Sequence, residues 1–308
     1  MADRILSLIA SATEIVCALG FEEYLVGRSH ECDYPETVRR LPVCTQPKIN
    51  TNGSSLEIDQ RVKAIIQQGL SVYRVDAARL KALNPNIIIT QTQCDVCAVS
   101  EKDVERALRE WLGPALAKET LPKIVSLAPN SLVDIWADIA RVAQALGAWE
   151  RSVLIVSRLK RRMSEISEKA KSLKERPSIA CIEWIDPLMA SGNWMPELVD
   201  MAGAINLFGL TGKHSPRITW EELIAKNPDH IVILPCGYDI NKSRQEIPAL
   251  TQKKEWPNLK AVKNNCVRLA DGNQYFNRPG PRIVESLEIL AEILHPGHFN
   301  FGHQNRGW

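Results

Sequence analysis

The sequence lacks a long apolar segment. No apolar run reaches the ~18 residues that a membrane-spanning helix needs, so we expect no transmembrane span. The first residues also lack a secretory signal, because Asp3 lies near the start and the apolar stretch ILSLIA is shorter than the ~7–15 residues of an h-region. These absences predict a cytoplasmic location, or a periplasmic one if the sequence is a truncated form.

The chain also carries little excess charge. Its 38 basic and 36 acidic residues leave a net charge of +2. The densest basic cluster, at residues 158–162, lies in a helical pattern that is typical of a solvated helix face. Because a nucleic-acid surface or an anionic membrane attracts a strongly basic protein, we expect neither as a partner.

No catalytic signature is present. The sequence has no GxSxG nucleophile turn, no Walker loop and no HExxH zinc motif. Ser191, between Ala190 and Gly192, is typical of a turn rather than of a nucleophile elbow. We find no pair of side chains that would act as acid and base, so the chain is predicted not to be an enzyme.

Short apolar strands alternate with helical segments along the chain. Between the first two predicted strands, Ser11 and Glu14 have the spacing of a capping box, and the helix they open is expected to end at Gly20. This alternation predicts an α/β fold of parallel sheets with helices on both faces. The predicted strands are Leu6–Ile9, Tyr24–Gly27, Ile87–Thr90, Ile124–Leu127, Ile179–Ile182, Ile231–Leu234 and Val267–Leu269.

One internal repeat predicts two lobes of similar topology. Residues 80–86 and 223–229 are each a helix end with an Asn-Pro turn, followed by an apolar strand. The strongly helical middle of the chain predicts lobes that are joined by a rigid helix and hinge little. The predicted domains are an N-terminal lobe at 1–128, a linking helix at 129–149 and a C-terminal lobe at 150–308. The last lobe ends in a helix at 282–294 and a loosely ordered tail.

Ligands of parallel sheets bind beyond the carboxyl ends of the strands. The loops at these ends are rich in aromatic and neutral polar side chains, which suit a large, partly flat, amide-decorated ligand. Core packing also explains Trp184 and Trp194, a turn explains Asp33, and a surface position explains Arg278. The candidate ligand-binding residues are Ser11, Thr13, His30, Cys32, Asp33, Tyr34, Gln93, Cys94, Glu183, Trp184, Trp194, Tyr275, Phe276 and Arg278.

The sharpest local motif is the Cys94-x-x-Cys97 pair. With Cys32, Cys44 or His30 it would complete a site for zinc or another soft metal. Its place between a strand and a helix would also suit redox chemistry, because a helix N-terminus lowers a thiol pKa. The third alternative is a pair of thiols that only line the loop. Eight cysteines in 308 residues are too sparse for the framework of a small secreted domain and favour a reducing compartment.

Almost the whole chain resembles the cobalamin-type solute-binding proteins of ABC importers, a group with two helix-linked lobes in the periplasmic-binding-protein superfamily. The resemblance rests on RILSLIASATEIVCALG, VGRSHECDYP, NPNIIITQ, SGNWMPELVDMAGA, NPDHIVIL and NRPGPRIVE. Relatives with this pattern bind corrinoids, haem, siderophores or metal ions. The Cys94-x-x-Cys97 pair is not part of the general pattern.

The resemblance implies a non-catalytic protein that holds cobalamin or a related corrinoid or tetrapyrrole in a cleft between its lobes. It also implies that one exposed glutamate on each lobe, here Glu57 and Glu221, docks onto an ABC permease. A solvated carboxylate at a helix start explains both glutamates equally well. We expect a monomer that serves as a solute-binding protein or as a cytoplasmic carrier.

Two alternatives to simple binding remain at this point. The first is a cytoplasmic metal- or thiol-dependent protein with a centre formed by Cys94, Cys97, Cys32 and His30. The second is an enzyme that removes the upper ligand of a corrinoid with a thiol.

Overall fold

A computed structural model describes residues 3–68, 70–92, 99, 101–112 and 121–308. The chain forms two compact lobes, as predicted. Lobe 1 comprises Met1–Gly53, Gln60–Pro129 and Val133–Val156, and lobe 2 comprises Ser54–Asp59, Asn130–Leu132 and Ser157–Trp308.

Lobe 1 is built on a four-stranded parallel sheet in the order β2-β1-β5-β6. The strands are short and apolar, and β5 is buried along its whole length. A separate antiparallel pair, β3 and β4, was not predicted. The strands are β1 (Ile5–Ser7), β2 (Leu25–Arg28), β3 (Thr45–Pro47), β4 (Tyr73–Val75), β5 (Ile87–Gln91) and β6 (Lys123–Leu127).

Helices alternate with these strands along the chain. The predicted linking helix at residues 129–149 stays a prediction, and the chain last passes from lobe 1 to lobe 2 between Val156 and Ser157. The helices are α1 (Ala10–Ala18), α2 (Ser55–Gln67), α3 (Ala77–Leu83), α4 (Glu101–Leu112), α5 (Leu132–Ala145) and α6 (Trp149–Lys171). No helix in the described part of the chain has the length and apolar character that crossing a membrane requires.

The start of α1 differs from the prediction. The N-cap is Ile9, which makes no side-chain capping hydrogen bond, and Ser11 is a buried residue of the first turn. The predicted capping box of Ser11 and Glu14 is therefore wrong. The helix begins only three residues after Ser7, the last residue of β1, so Ser11 falls inside the helix instead of before it.

Lobe 2 is built on a mostly parallel sheet in which β11, β10 and β7 are neighbours. Two short strands complete it, because β9 pairs parallel and β8 antiparallel with β7. The strands are β7 (Ser178–Trp184), β8 (Met189–Ala190), β9 (Ile205–Asn206), β10 (His230–Ile233) and β11 (Val267–Leu269). The helices are α7 (Met195–Met201), α8 (Trp220–Lys226), α9 (Ile240–Glu246), α10 (Pro248–Thr251), α11 (Lys260–Lys263) and α12 (Ile283–Leu294). The predicted two-lobe α/β class is confirmed.

The internal repeat is visible as two matching helices. Both α3 and α8 have seven residues and end at an asparagine in the left-handed region, Asn84 at φ 41° and Asn227 at φ 44°. Their starts differ. Asp76 caps α3 alone, whereas Thr219 and Glu222 form a full capping box on α8.

The C-terminal tail is packed against lobe 2. Trp308 Nε1 donates a hydrogen bond to Glu292 Oε2 at 2.9 Å, and the Gly307 carbonyl accepts one from Asp271 N at 2.9 Å. The prediction of a loosely ordered tail is wrong, because its partners are buried carboxylates of α12 that no local pattern reveals.

Substitution of Asn84 tests the left-handed cap. We expect Asn84→Ala to lower the free energy of unfolding by about 1 kcal/mol, because alanine in the left-handed region meets its own backbone. Asn84→Gly should restore most of this loss. Urea unfolding of both variants measures the difference, and equal stability of the alanine and glycine variants would contradict the assignment.

Candidate functional site

The loop after β2 presents His30 on a fixed ring. His30 Nδ1 lies 2.7 Å from Thr45 Oγ1, which also accepts a hydrogen bond from His30 N at 3.0 Å. The ring packs 5.5 Å from the ring of Tyr73. Burial, and then the nearby Arg28 cation, lower the pKa of His30. The imidazole is therefore neutral near pH 7 and a potential hydrogen-bond or metal partner.

Behind this loop lies a buried polar cluster. Thr13 Oγ1 is 2.8 Å from Ser7 Oγ and 3.0 Å from Cys32 Sγ. Thr13 and Cys32 are fully buried, and Ser11 is almost so. Burial raises the pKa of the Cys32 thiol, which keeps it protonated. Thr13 and Cys32 therefore support the loop from inside, and Ser11 is buried in the first turn of α1.

Arg28 braces the outer part of the same loop. Its guanidinium donates to the carbonyls of Ser29 and Cys32 at 3.1 and 2.9 Å. Tyr34, with 43% of its surface exposed, is the most open candidate here, and Asp33 lies 3.9 Å from Arg39. Sequence reasoning missed Arg28 because its role depends on carbonyls that no side-chain pattern reports.

Three candidates lie outside the described residues: Gln93, Cys94 and Cys97. Within the described residues, no group of three or more His, Cys, Asp or Glu side chains could hold a metal ion. The predicted zinc or soft-metal site, and the metal- or thiol-dependent protein built on it, therefore have no support from the structure.

In lobe 2, Trp184 is the last residue of β7, and its ring packs against a second aromatic ring. Its Nε1 donates to the Asp186 carbonyl at 3.0 Å, and its ring lies 5.3 Å from that of Tyr238. Tyr238 is only 6% exposed, and Lys242 Nζ sits 5.4 Å from its ring centre. Tyr238 was missed although it lies in the loop after β10, where an aromatic side chain is a usable signal.

Glu183 connects β7 to the glycine-containing turn after β8. Ser215 Oγ donates to Glu183 Oε1 at 2.8 Å and accepts from Gly192 N at 3.1 Å. A Cβ at Gly192 would lie 2.4 Å from the Lys213 carbonyl oxygen, so the two chain segments pack backbone to backbone. Trp194 follows this turn but is 5% exposed. Among the described residues its Nε1 has no hydrogen-bond partner, so Trp194 belongs to the core.

After β11 the chain makes one π-helical turn at Gly272–Phe276. Asp271 Oδ1 caps it by accepting from Gln274 N at 2.7 Å, and Asn273 N donates to the Tyr238 carbonyl at 3.1 Å. A Cβ at Gly272 would lie 2.1 Å from the Pro235 carbonyl oxygen. We call residues 271–276 the π-turn loop. These contacts constrain the conformation of its backbone.

Tyr275 is the half-buried aromatic side chain of the π-turn loop. The Arg282 guanidinium lies 5.0 Å from its ring centre. Phe276 points into the core with 1% exposure, and Arg278 is buried, with Nη2 3.3 Å from Asn273 Oδ1. Of the three candidates in this part of the chain, Tyr275 is the one that can meet a solute. Arg282, which orients it, was missed.

The two candidate docking glutamates occupy unlike positions. Glu57 Oε2 accepts from Ser54 N at 2.8 Å near the start of α2, in a segment that groups with lobe 2. Glu221 is exposed in α8, and its counterpart in α3 by the internal repeat is Ala78. One docking glutamate on each lobe stays a prediction.

The model of the periplasmic binding protein family matches residues 121–273 of this chain. This range contains β6 to β11 and the first half of the π-turn loop.

Similar proteins cover nearly the whole length. An uncharacterised ABC transporter substrate-binding lipoprotein, YvrC, of Bacillus subtilis is 24% identical over 302 residues, which cover 96% of this chain and 81% of the relative. The vitamin B12-binding protein of Vibrio parahaemolyticus is 23% identical and covers 94% of this chain and 88% of the relative. The periplasmic haem-binding protein RhuT of Roseiflexus sp. RS-1 shares the fold, with a TM-score of 0.70, 21% identity and coverage of 97% and 100%.

These comparisons change one prediction and confirm two others. The cytoplasmic location is wrong, because the relatives are lipoproteins or periplasmic proteins, which points outside the cytoplasm. The resemblance to solute-binding proteins of ABC importers is confirmed. So is the non-catalytic character, since the family is one of binding proteins.

A methyl group at Gly272 tests the packing of the π-turn loop. We expect Gly272→Ala to lower the free energy of unfolding by about 1–3 kcal/mol, because the Cβ would overlap two backbone carbonyls. Gly297→Ala is the control, since no described heavy atom lies within 4 Å of a Cβ there. Thermal or urea unfolding measures both, and a stable Gly272→Ala variant would refute the close approach.

Proposed function

We propose that the protein binds cobalamin or a related corrinoid or tetrapyrrole, since residues 121–273 match the model of the periplasmic binding protein family. It would do so as the solute-binding component of an ABC importer. A relative named as a vitamin B12-binding protein and a structural neighbour named as a haem-binding protein support this class of ligand.

The observation that carries the proposal is the set of accessible aromatic rings at strand ends. Tyr34 follows β2, Trp184 ends β7 and Tyr275 follows β11. Each is at least partly exposed, and the last two are oriented by neighbouring side chains. Parallel sheets bind ligands beyond the carboxyl ends of their strands. Flat apolar rings with polar groups between them suit a macrocycle that carries amide or carboxyl substituents.

His30 adds a group that could reach the metal of such a ligand. Its side chain is 26% exposed, and its Nδ1 is fixed by Thr45. Neutral imidazole is the commonest metal ligand among side chains, and a hydrogen bond at one ring nitrogen is the usual way to orient the other. We infer that Nε2 of His30 faces the metal of the bound solute.

The permease remains the proposed protein partner. Both Glu57 and Glu221 are exposed, as docking onto permease arginines would require. Glu57 Oε2 already accepts hydrogen bonds from Ser54, so Glu221 is the stronger candidate of the two.

Titration with solute tests the proposal. We expect hydroxocobalamin or haemin to bind with a dissociation constant below about 10 μM, or about −7 kcal/mol, detected by calorimetry and the visible spectrum. Trp184→Leu should weaken binding about tenfold, because large aromatic anchors dominate ligand contacts. Trp149→Leu, which alters a tryptophan that is 53% exposed on α6, serves as the control.

The titrations distinguish a corrinoid-binding protein from a haem-binding one. Binding of only one of the two solutes identifies the ligand class. Absence of binding at tens of micromolar for both solutes would count decisively against the proposal, and equal affinities for the two tryptophan variants would remove Trp184 from the site.

Replacement of His30 tests the metal contact. We expect the visible spectrum of hydroxocobalamin or haemin to shift on binding to the wild-type protein and to stay unshifted with His30→Gln, because glutamine lacks an imidazole nitrogen. His214→Gln, at an exposed position of lobe 2, is the control. The same spectral shift with His30→Gln as with wild type would show that His30 does not reach the metal.

A further inference from the structure

Helix α12 buries two of its three carboxylates among mostly apolar side chains. Glu288 is 1% exposed and Glu292 is 3% exposed. They are four residues apart and therefore lie on the same helix face. A buried negative charge is strongly unfavourable unless hydrogen-bond donors surround it. The donors to these two side chains therefore identify the segment that packs on this face of the helix.

The partners of Glu292 come from the end of the chain. Its Oε1 accepts hydrogen bonds from the backbone N–H groups of Phe301, Gly302 and His303, at 2.7 Å for Gly302. Its Oε2 accepts from Trp308 Nε1 at 2.9 Å. Burial alone would raise the pKa of Glu292, but these donors outweigh it and lower the pKa. The carboxylate is thus an anchor for residues 301–308, which we call the C-terminal strap.

Glu288 holds the strap at a second point. Its Oε2 lies 2.9 Å from His303 Nε2, and its Oε1 accepts a hydrogen bond from Arg162 of α6. The hydrogen bond to Glu288 raises the pKa of His303, while burial opposes this. Both buried carboxylates therefore hold the first residues of the strap, and Glu292 also holds Trp308 at its end.

The strap also contacts the π-turn loop directly. The Gly307 carbonyl accepts from Asp271 N at 2.9 Å. The rings of His303 and Tyr275 meet edge to face at 5.9 Å. A Cβ at Gly307 would lie 2.6 Å from Ile289 Cδ1 and 3.3 Å from Tyr275 Cε2, so the backbone of the strap passes between α12 and this ring.

We propose that the C-terminal strap, anchored by Glu292, is a positioning element that holds the π-turn loop in its ligand-binding conformation. Tyr275 lies between the strap and the Arg282 guanidinium, so its orientation depends on both. This proposal rests on the proposed function, because it takes Tyr275 to be a ligand contact. Fixing the loop before the solute arrives removes the ordering entropy that binding would otherwise oppose.

Two variants of the full-length chain test the strap. Trp308→Phe removes one donor to Glu292 while keeping an aromatic ring, and Glu292→Gln keeps the shape of the anchor but removes its charge. Trp149→Phe and Glu165→Gln, at exposed positions of α6, are the matched controls. Trp308→Phe is the milder change, because Glu292→Gln turns an amide NH2 group towards an N–H donor. The melting temperature verifies that both variants stay folded.

Two readouts are needed. Hydrogen exchange of the ligand-free protein should be at least about tenfold faster for the amides of Asp271, Tyr275 and Asn277 in both strap variants, with the amides of β10 unchanged. The affinity for hydroxocobalamin or haemin should fall about threefold to tenfold. Each variant weakens a hydrogen bond to a charged group, and only part of that lost free energy affects the conformation of the π-turn loop. A merely structural role would change the melting temperature without this local pattern.

The outcomes are distinct. Unchanged exchange in the π-turn loop would overturn the proposal, and so would faster exchange with unaltered affinity. A wild-type protein that binds neither solute would overturn the proposed function and this inference with it. Wild-type binding that survives undiminished in both strap variants would overturn the inference alone.

Discussion

Burial of the parallel strands on both faces is the constraint on which the rest of the structure depends. Strand β5 is buried at every position, and β7 and β10 are buried over most of their length. Such strands use their backbone polar groups in the sheet and their side chains in the core. Polar chemistry is therefore left to the carboxyl ends of the strands, where His30, Trp184 and Tyr275 lie.

This constraint explains what could be predicted from the sequence. Short apolar runs bounded by turn residues located the main parallel strands to within about two residues, and the repeated Asn-Pro turns revealed two lobes. Local pattern could not decide which loop residue faces solvent. Trp184 and Trp194 lie on either side of the same polar segment, yet one is half-buried and the other lies in the core. The difference depends on packing partners that are remote in sequence.

The same limit applies to side chains that orient others. Arg28 and Arg282 act on carbonyls and rings, so only tertiary structure reveals them. The tail was misjudged for a related reason. Glycine- and asparagine-rich composition indicates disorder when the segment is considered alone, but two buried carboxylates on α12 supply partners for its backbone and side chains. The π-turn loop thus contacts residues at the C-terminal end of the chain.

The charges near the strand ends bear on the class of solute. Arg28 is committed to loop carbonyls, Arg278 is buried beside Asn273, and Arg282 is committed to Gln274 and Tyr275. The loops that carry His30 and Trp184 also hold carboxylates, Glu31 and Glu183, and Glu183 accepts a hydrogen bond from Ser215 Oγ. Because these cations and Glu183 already have partners within the protein, recognition of the proposed solute depends on the aromatic rings and neutral polar groups at the strand ends more than on ion pairs.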